Sequence, residues 1–223
     1  MTHATTTARE QILNRLRSAQ PPALAQPDVS GFYADQPQED QQTLIERLVL
    51  NLTNAMAEVH RTTSACLAGA LTAVIRQKKL QTLAIGPEIL SDLALSESLC
   101  AACGVLPVVA AHTETPALLN GIDAGLTLSR ASIAETGTVV LWSGPQSPRL
   151  LSLVPPVHIV VVQARQVVGS LFDLMQQQGW SEGMPTNVVL VSSPSKTADI
   201  QQTLAYGAHG PKQLVVMLVE DAR

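Results

Sequence analysis

The chain has 223 residues, 46% apolar and only 14% charged, with 14 Lys+Arg against 18 Asp+Glu and a formal net charge of −4. A mildly acidic chain with no basic cluster is excluded as a phosphate-neutralising nucleic-acid binder. Two Trp, two Tyr and two Phe are too few for the stacking platforms of single-strand binders. The length suits one compact α/β domain with a short appendage, and the apolar share is ample for a continuous core.

The start, Met1-Thr2-His3-Ala4, has no basic stretch leading into an apolar one, so no secretory signal is expected. The longest apolar runs, such as Leu214 to Val219, fall far short of the ~20 residues of a membrane span. Cys66, Cys100 and Cys103 cannot build a disulfide framework and read as small buried residues of a reducing, cytoplasmic compartment.

In chain order, Ala8 to Ser18 reads as an amphipathic helix with Ile12, Leu13 and Leu16 on one side. The Pro- and Gln-rich stretch from Ala19 to Gln41 reads as an arm, either draped over the surface or docked on a partner. The organisation expected is therefore a helix and arm over 1–41 and an α/β domain over 42–223. Leu44, Leu48, Leu52, Ala55 and Val59 fall on one helical face, and a second helix covers Ser64 to Gln77. Thr82 to Ile85 predicts a strand closed by Gly86-Pro87; a helical stretch follows to Leu99, then a strand from Val105 to Ala110. Ala124 to Trp142 is strand-like but broken at Glu135-Thr136-Gly137. Val157 to Val162 is an almost pure β-branched run, Val168 to Gln178 predicts a helix, and Val188–Val191 and Leu214–Val219 predict strands. Short, continuously apolar strands separated by helices imply a sheet buried on both faces, hence a three-layer α/β fold with a mainly parallel sheet.

Four polar, Gly- and Pro-containing segments stand where strands should end, where open α/β sheets place their ligands. In Ala134-Glu135-Thr136-Gly137-Thr138, Glu135 can act as base or nucleophile, with Thr136, Gly137 and Thr138 shaping the ligand contact; the alternative is a turn in which Glu135 pairs with Arg130. Arg149 can clamp a carboxylate bidentately, or form a structural ion pair. His158, following Pro155-Pro156 into an apolar run, reads as a hydrogen-bonded core histidine. In Ser193 to Ile200, Lys196, Thr197 and Asp199 suit a helix start that caps itself or holds an anion. Around Gly207 to Lys212, His209 and Gly210 form a shaped loop in which His209 exchanges a proton with a ligand or caps the preceding short helix near Leu204. Cys100-Ala101-Ala102-Cys103 plus Cys66 lacks the fourth thiolate of a metal or iron–sulfur site, and no Gly-x-Gly-x-x-Gly loop occurs. No resident cofactor or metal is expected.

Taken in order, Ala134-Glu135-Thr136-Gly137-Thr138, Arg149-Leu150, Leu153-Val154-Pro155-Pro156-Val157-His158, Ser195-Lys196-Thr197-Ala198-Asp199-Ile200 and Gly207-Ala208-His209-Gly210-Pro211-Lys212 resemble the LUD-domain family of lactate-utilisation proteins, its small stand-alone C-type members in particular. The likeness spans about Gln42 to the C-terminus, with Ala208 where the family pattern has Val. It implies a fold akin to the sugar-phosphate isomerase and coenzyme A transferase superfamily. It also implies a place in bacterial oxidation of L-lactate to pyruvate, as a non-redox subunit beside two iron–sulfur partner proteins. Two other functions stay open: a self-sufficient isomerase- or acyl-transferase-like enzyme using Glu135, and a non-catalytic regulatory module.

Overall fold

The computed structural model describes residues 7–19, 31, 39–108, 121–198, 204–206 and 209–221. Residues 1–37 and 38–223 form two separate units. In the first, α1 (Ala8–Ser18) has the expected bounds. Its start is fixed by a reciprocal capping box in which Thr7 and Glu10 each satisfy the other's backbone N–H. Ile12 and Leu16 are exposed.

The second unit begins with α2 (Gln41–Asn54), capped by Asp40, whose carboxylate accepts from the Thr43 N–H at 2.7 Å. Gln41, read above as the end of the arm, is bound into this unit through donation to the Ala164 and Val167 carbonyls. The helical face expected to continue to Val59 stops short. Met56 adopts φ +69°, and paired bonds run from Met56 N to Thr53 O and from Ala57 N to Leu52 O. This is a Schellman end built without glycine. Val59 then lies in a strand, β1 (Glu58–Thr62). The same closure ends α3 (Leu67–Gln77), with Lys79 at φ +55° and Leu80 N donating to Ile75 O. A 3-10 turn at Ser64–Cys66 supplies the front of the second expected helix.

β2 (Thr82–Ile85) and the single-turn α4 (Pro87–Leu90) follow, then α5 (Leu93–Ala102), β3 (Gly104–Pro107) and β4 (Ala124–Leu128). Ala110, the expected end of the strand from Val105, lies outside the described residues. Next come β5 (Ala131–Ile133), β6 (Thr138–Trp142), β7 (Val157–Gln163) and β8 (Val167–Val168). α6 (Leu171–Gln177) starts three residues later than expected, because Val168 is taken by β8 and Ser170 makes the cap. β9 (Val188–Val191), the hairpin β10 (Lys196–Ala198) and β11 (Leu204–Tyr206), and β12 (Gln213–Val219) complete the chain. The helix expected near Leu204 is therefore a strand.

Six strands form one sheet in the order β1-β12-β7-β4-β2-β3, every pair parallel. Its strands carry apolar residues on both sides, as burial on both faces demands. On one face, Leu71, Val74 and Ile75 of α3 and Leu95 and Leu99 of α5 pack on Leu83, Leu126, Ile159, Val161 and Met217. On the other, Ile45, Leu48 and Leu52 of α2 join Val139 and Leu141 over Val160, Val162, Val216 and Leu218. Each such fully buried side chain contributes about 1.5–3 kcal/mol. The second covering layer is itself largely β: β8-β5-β6-β9, with β6 antiparallel to both neighbours. Alternation along β6 sends Val139 and Leu141 to the main core and Val140 outward to Ile133, Leu174 and Trp180.

Among the described residues, no helix is long and apolar enough to cross a membrane. The cysteines do not match their expected burial: Cys66 and Cys100 are exposed and Cys103 is half-buried. The small size that permits core placement also fits the solvent-facing side of α5.

Candidate functional site

The Glu135-Thr136-Gly137 break between β5 and β6 is a turn seated on α2. Gly137 has φ +60°, and a Cβ there would lie 2.6 Å from Asn51 Cβ. Both facts call for glycine. Asn51 completes the seat, donating from Nδ2 to the carbonyls of Ala134 at 2.9 Å and Glu135 at 3.1 Å. Glu135 is exposed, and its N–H donates to Gly169 O. The expected pairing with Arg130 is not made. That guanidinium donates twice to Gln178 Oε1 and lies over the Trp142 ring.

The hydroxyls after the turn lead elsewhere. Thr136 Oγ1 and Thr138 Oγ1 are 2.6 Å apart, and Thr138 Oγ1 is 2.7 Å from Ser192 Oγ. Ser192 lines a groove of about 470 Å³ together with Ser152, His158, Ser195, Lys196, His209 and Gly210. Of the residues singled out from sequence, Lys196, His209 and Gly210 stand in its lining, and Thr136 and Thr138 reach it through Ser192. Glu135 and Arg149 do not line it. Arg149 is exposed on the 3-10 turn Arg149–Ser152, where its carbonyl accepts from Ser152 Oγ.

The backbone explains the gathering. Ser195 N donates to Pro211 O at 2.8 Å, pinning the strand that leaves β9 against the loop before β12. A Cβ on Gly210 would come 3.2 Å from Ser195 Cβ, so a larger residue would push the two segments apart. Lys196 does not open a helix, as expected from the sequence, but starts β10, opposite Tyr206; Thr197 is paired with Ala205 in the same hairpin. The anion-holding helix terminus and the helix cap by His209 are therefore absent among the described residues. Asp199 lies outside them.

His158 was legible as a core histidine but not as part of this wall. It is 1% exposed, with Nε2 2.8 Å from Thr127 Oγ1 and Nδ1 without a partner among the described residues. Burial lowers its pKa to about 4, so the ring is neutral at pH 7. Ser192 and Ser195 were also missed; isolated serines in a loop give no periodic or motif signal. The groove is reached from the starting ends of β7 and β12, through His158, Pro211 and Leu214. Sequence reasoning placed all four segments at finishing ends, as holds for Glu135 after β5 and for Ser193 after β9, whose finishing end also lines the groove.

Fold and groove together define a layered α/β domain whose polar loops converge on the starting edge of a parallel sheet. The chain belongs to the LUD domain family, whose sequence profile matches residues 45–219. It is 50% identical over 101 residues to an uncharacterised protein of Neisseria meningitidis serogroup B, covering 45% of this chain and 43% of that one. It is 36% identical over 103 residues to lactate utilization protein C 1 of Bacillus mycoides, covering 44% of each. Each match spans less than half the length of the relative. The fold is similar to the crystal structure of a DUF162 family protein from Deinococcus radiodurans, with a TM-score of 0.64 over 82% of this chain and 99% of that one, at 23% identity.

Proposed function

We propose that this chain is a component of a bacterial L-lactate-oxidising system, a non-redox subunit acting beside two iron–sulfur partner proteins that take up the electrons. The name carried by relatives such as the Bacillus mycoides protein supports the pathway. The observation that carries the division of labour is the chemistry of the groove: an exposed ammonium on Lys196, an imidazole on His209 and the hydroxyls of Ser192 and Ser195. These groups suit a small hydroxycarboxylate. Lys196 binds the carboxylate, the serine hydroxyls orient the substrate, and His209 accepts the proton of the hydroxyl group. Converting lactate to pyruvate also releases the C2 proton to solvent and two electrons to the partner proteins, since these side chains have no chemistry to accept electrons. The three cysteines are one short of the four thiolates that bind a cluster.

The test is lactate-dependent dye reduction by the partner iron–sulfur proteins, with and without this chain. Activity that requires it, and that falls at least ten-fold in Lys196→Ala or His209→Gln, bears the proposal out. Equal activity without the chain refutes it.

A further inference from the structure

The parallel sheet has a topological switch point. After β2 the chain passes to its neighbour β3 on one side, whereas after β4, which pairs with β2 on the other side, it passes away to β7. Connections that diverge from two adjacent strands leave a crevice beyond their carboxyl ends, where open α/β sheets bind ligands. Beside this crevice lies a cavity of about 460 Å³ whose lining includes Glu88, from the turn after β2, and Ser129, Arg130, Trp142, Gln163 and Arg165. It opens at the finishing ends of β4 and β7, the opposite end of the sheet from the groove.

Two of its polar groups, Ser129 and Arg130, present a hydroxyl and a positive charge to the cavity. Ser129 is 9% exposed, and its hydroxyl, in the cavity lining, has no hydrogen-bond partner among the described residues. Arg130 is held from two sides: Nε and Nη2 donate to Gln178 Oε1 at 3.1 and 2.9 Å, and the guanidinium lies 5.0 Å from the Trp142 ring centroid. Both supports are neutral, so they hold the guanidinium in place without cancelling its charge themselves. Arg165 adds a second guanidinium, with Nε donating to Gln163 Oε1 at 3.0 Å. Glu88 is half-buried, with a hydrogen bond from Ser147, and burial pushes its carboxyl up. That carboxyl can hydrogen-bond a ligand hydroxyl.

We propose that this cavity is a second binding site, for a small hydroxylated oxyanion, with the anionic group on Arg130 and hydroxyl groups on Ser129 Oγ and Glu88. The volume lies in the range of ordinary small-molecule pockets and leaves room for more than a three-carbon acid. A carboxylate and a phosphate monoester present the same chemistry to Arg130.

Calorimetric titration of the full chain tests this, with Trp142 emission as a second readout. The probes are gluconate and glycerol 3-phosphate; sorbitol lacks the charge, and hexanoate lacks the hydroxyls. Saturable binding of gluconate, glycerol 3-phosphate or both is expected, and which of them binds identifies the oxyanion. Arg130→Gln should weaken binding at least ten-fold and Ser129→Ala several-fold. Ser129→Ala should also raise the melting temperature of the unliganded chain, since it removes an unmet buried hydroxyl. The same titrations on Lys196→Ala, in which the groove lacks its ammonium, should retain the binding that depends on Arg130 and Ser129. The proposal is overturned if neither probe binds at ~10 mM, if sorbitol or hexanoate binds as tightly, or if Arg130→Gln binds like the wild type. Loss of the lactate assay alone leaves it standing, because it does not draw on the groove.

Discussion

His158 should make this protein acid-sensitive by an amount its burial fixes. The ring stands at the start of β7 with one nitrogen on Thr127 and the other unpartnered among the described residues. Its pKa is about 4 in the folded chain, against the ordinary 6.5. Between those values the unfolded chain binds a proton that the folded chain refuses. Stability therefore rises with pH across that window, is fully present above it, and is lost as pH falls toward 4. At 1.36 kcal/mol per pH unit the gap corresponds to about 3 kcal/mol, a large fraction of a typical domain's stability. Glu88 works in the opposite sense: its raised pKa makes the folded state the better proton binder, so its contribution falls as pH rises. Comparison with His158→Gln cancels that background, since the amide can still reach Thr127 but does not titrate. Urea unfolding at pH ~7, ~6, ~5 and ~4 should show the wild type losing about 3 kcal/mol more than the variant across the series. Stability curves that stay parallel within about 0.5 kcal/mol would refute the reasoning.

Other outcomes follow from the same structure. Gly137→Ala should destabilise by about 2 kcal/mol or more, from its left-handed backbone and from the clash with Asn51, read as a drop in thermal midpoint. Asn51→Leu should cost about 1–3 kcal/mol by orphaning the Ala134 and Glu135 carbonyls, whereas Glu135→Gln should change stability by less than about 0.5 kcal/mol; equal losses in chemical denaturation would mean that the Glu135 side chain, not the seat, holds the turn. In native protein, Cys66 and Cys100 should be alkylated readily, and Cys103, half-buried and with its thiol pKa raised by burial, the most slowly. Peptide mass mapping over time distinguishes the three, and fastest modification of Cys103 would contradict its placement.

Sequence by itself determined the elements whose signal is local. The apolar runs of β2, β7, β9 and β12 and the periodicity of α1, α2 and α3 were legible because each strand or helix carries its pattern in its own residues. β1 was not: Glu58-Val59-His60-Arg61-Thr62 has no alternation, and its place depends on pairing with β12 and on ion pairs from Glu58 to Lys78 and Arg61 to Glu46. The stop before it was hidden because Met56, not a glycine, takes the left-handed position. Ser193 to Tyr206 read as helical from its capping residues, but the described part pairs as a hairpin instead. The motif order pointed to residues that do converge, Lys196, His209, Gly210 and the Thr138 hydroxyl, yet could not say that Glu135 and Arg149 stand apart. Their grouping depends on contacts between residues tens of positions apart, such as Thr138 with Ser192. The switch-point cavity left no mark in the sequence. Its walls come from the finishing ends of β4 and β7 and from Glu88 after β2, and which strands lie side by side is a property of the folded sheet that no local pattern encodes.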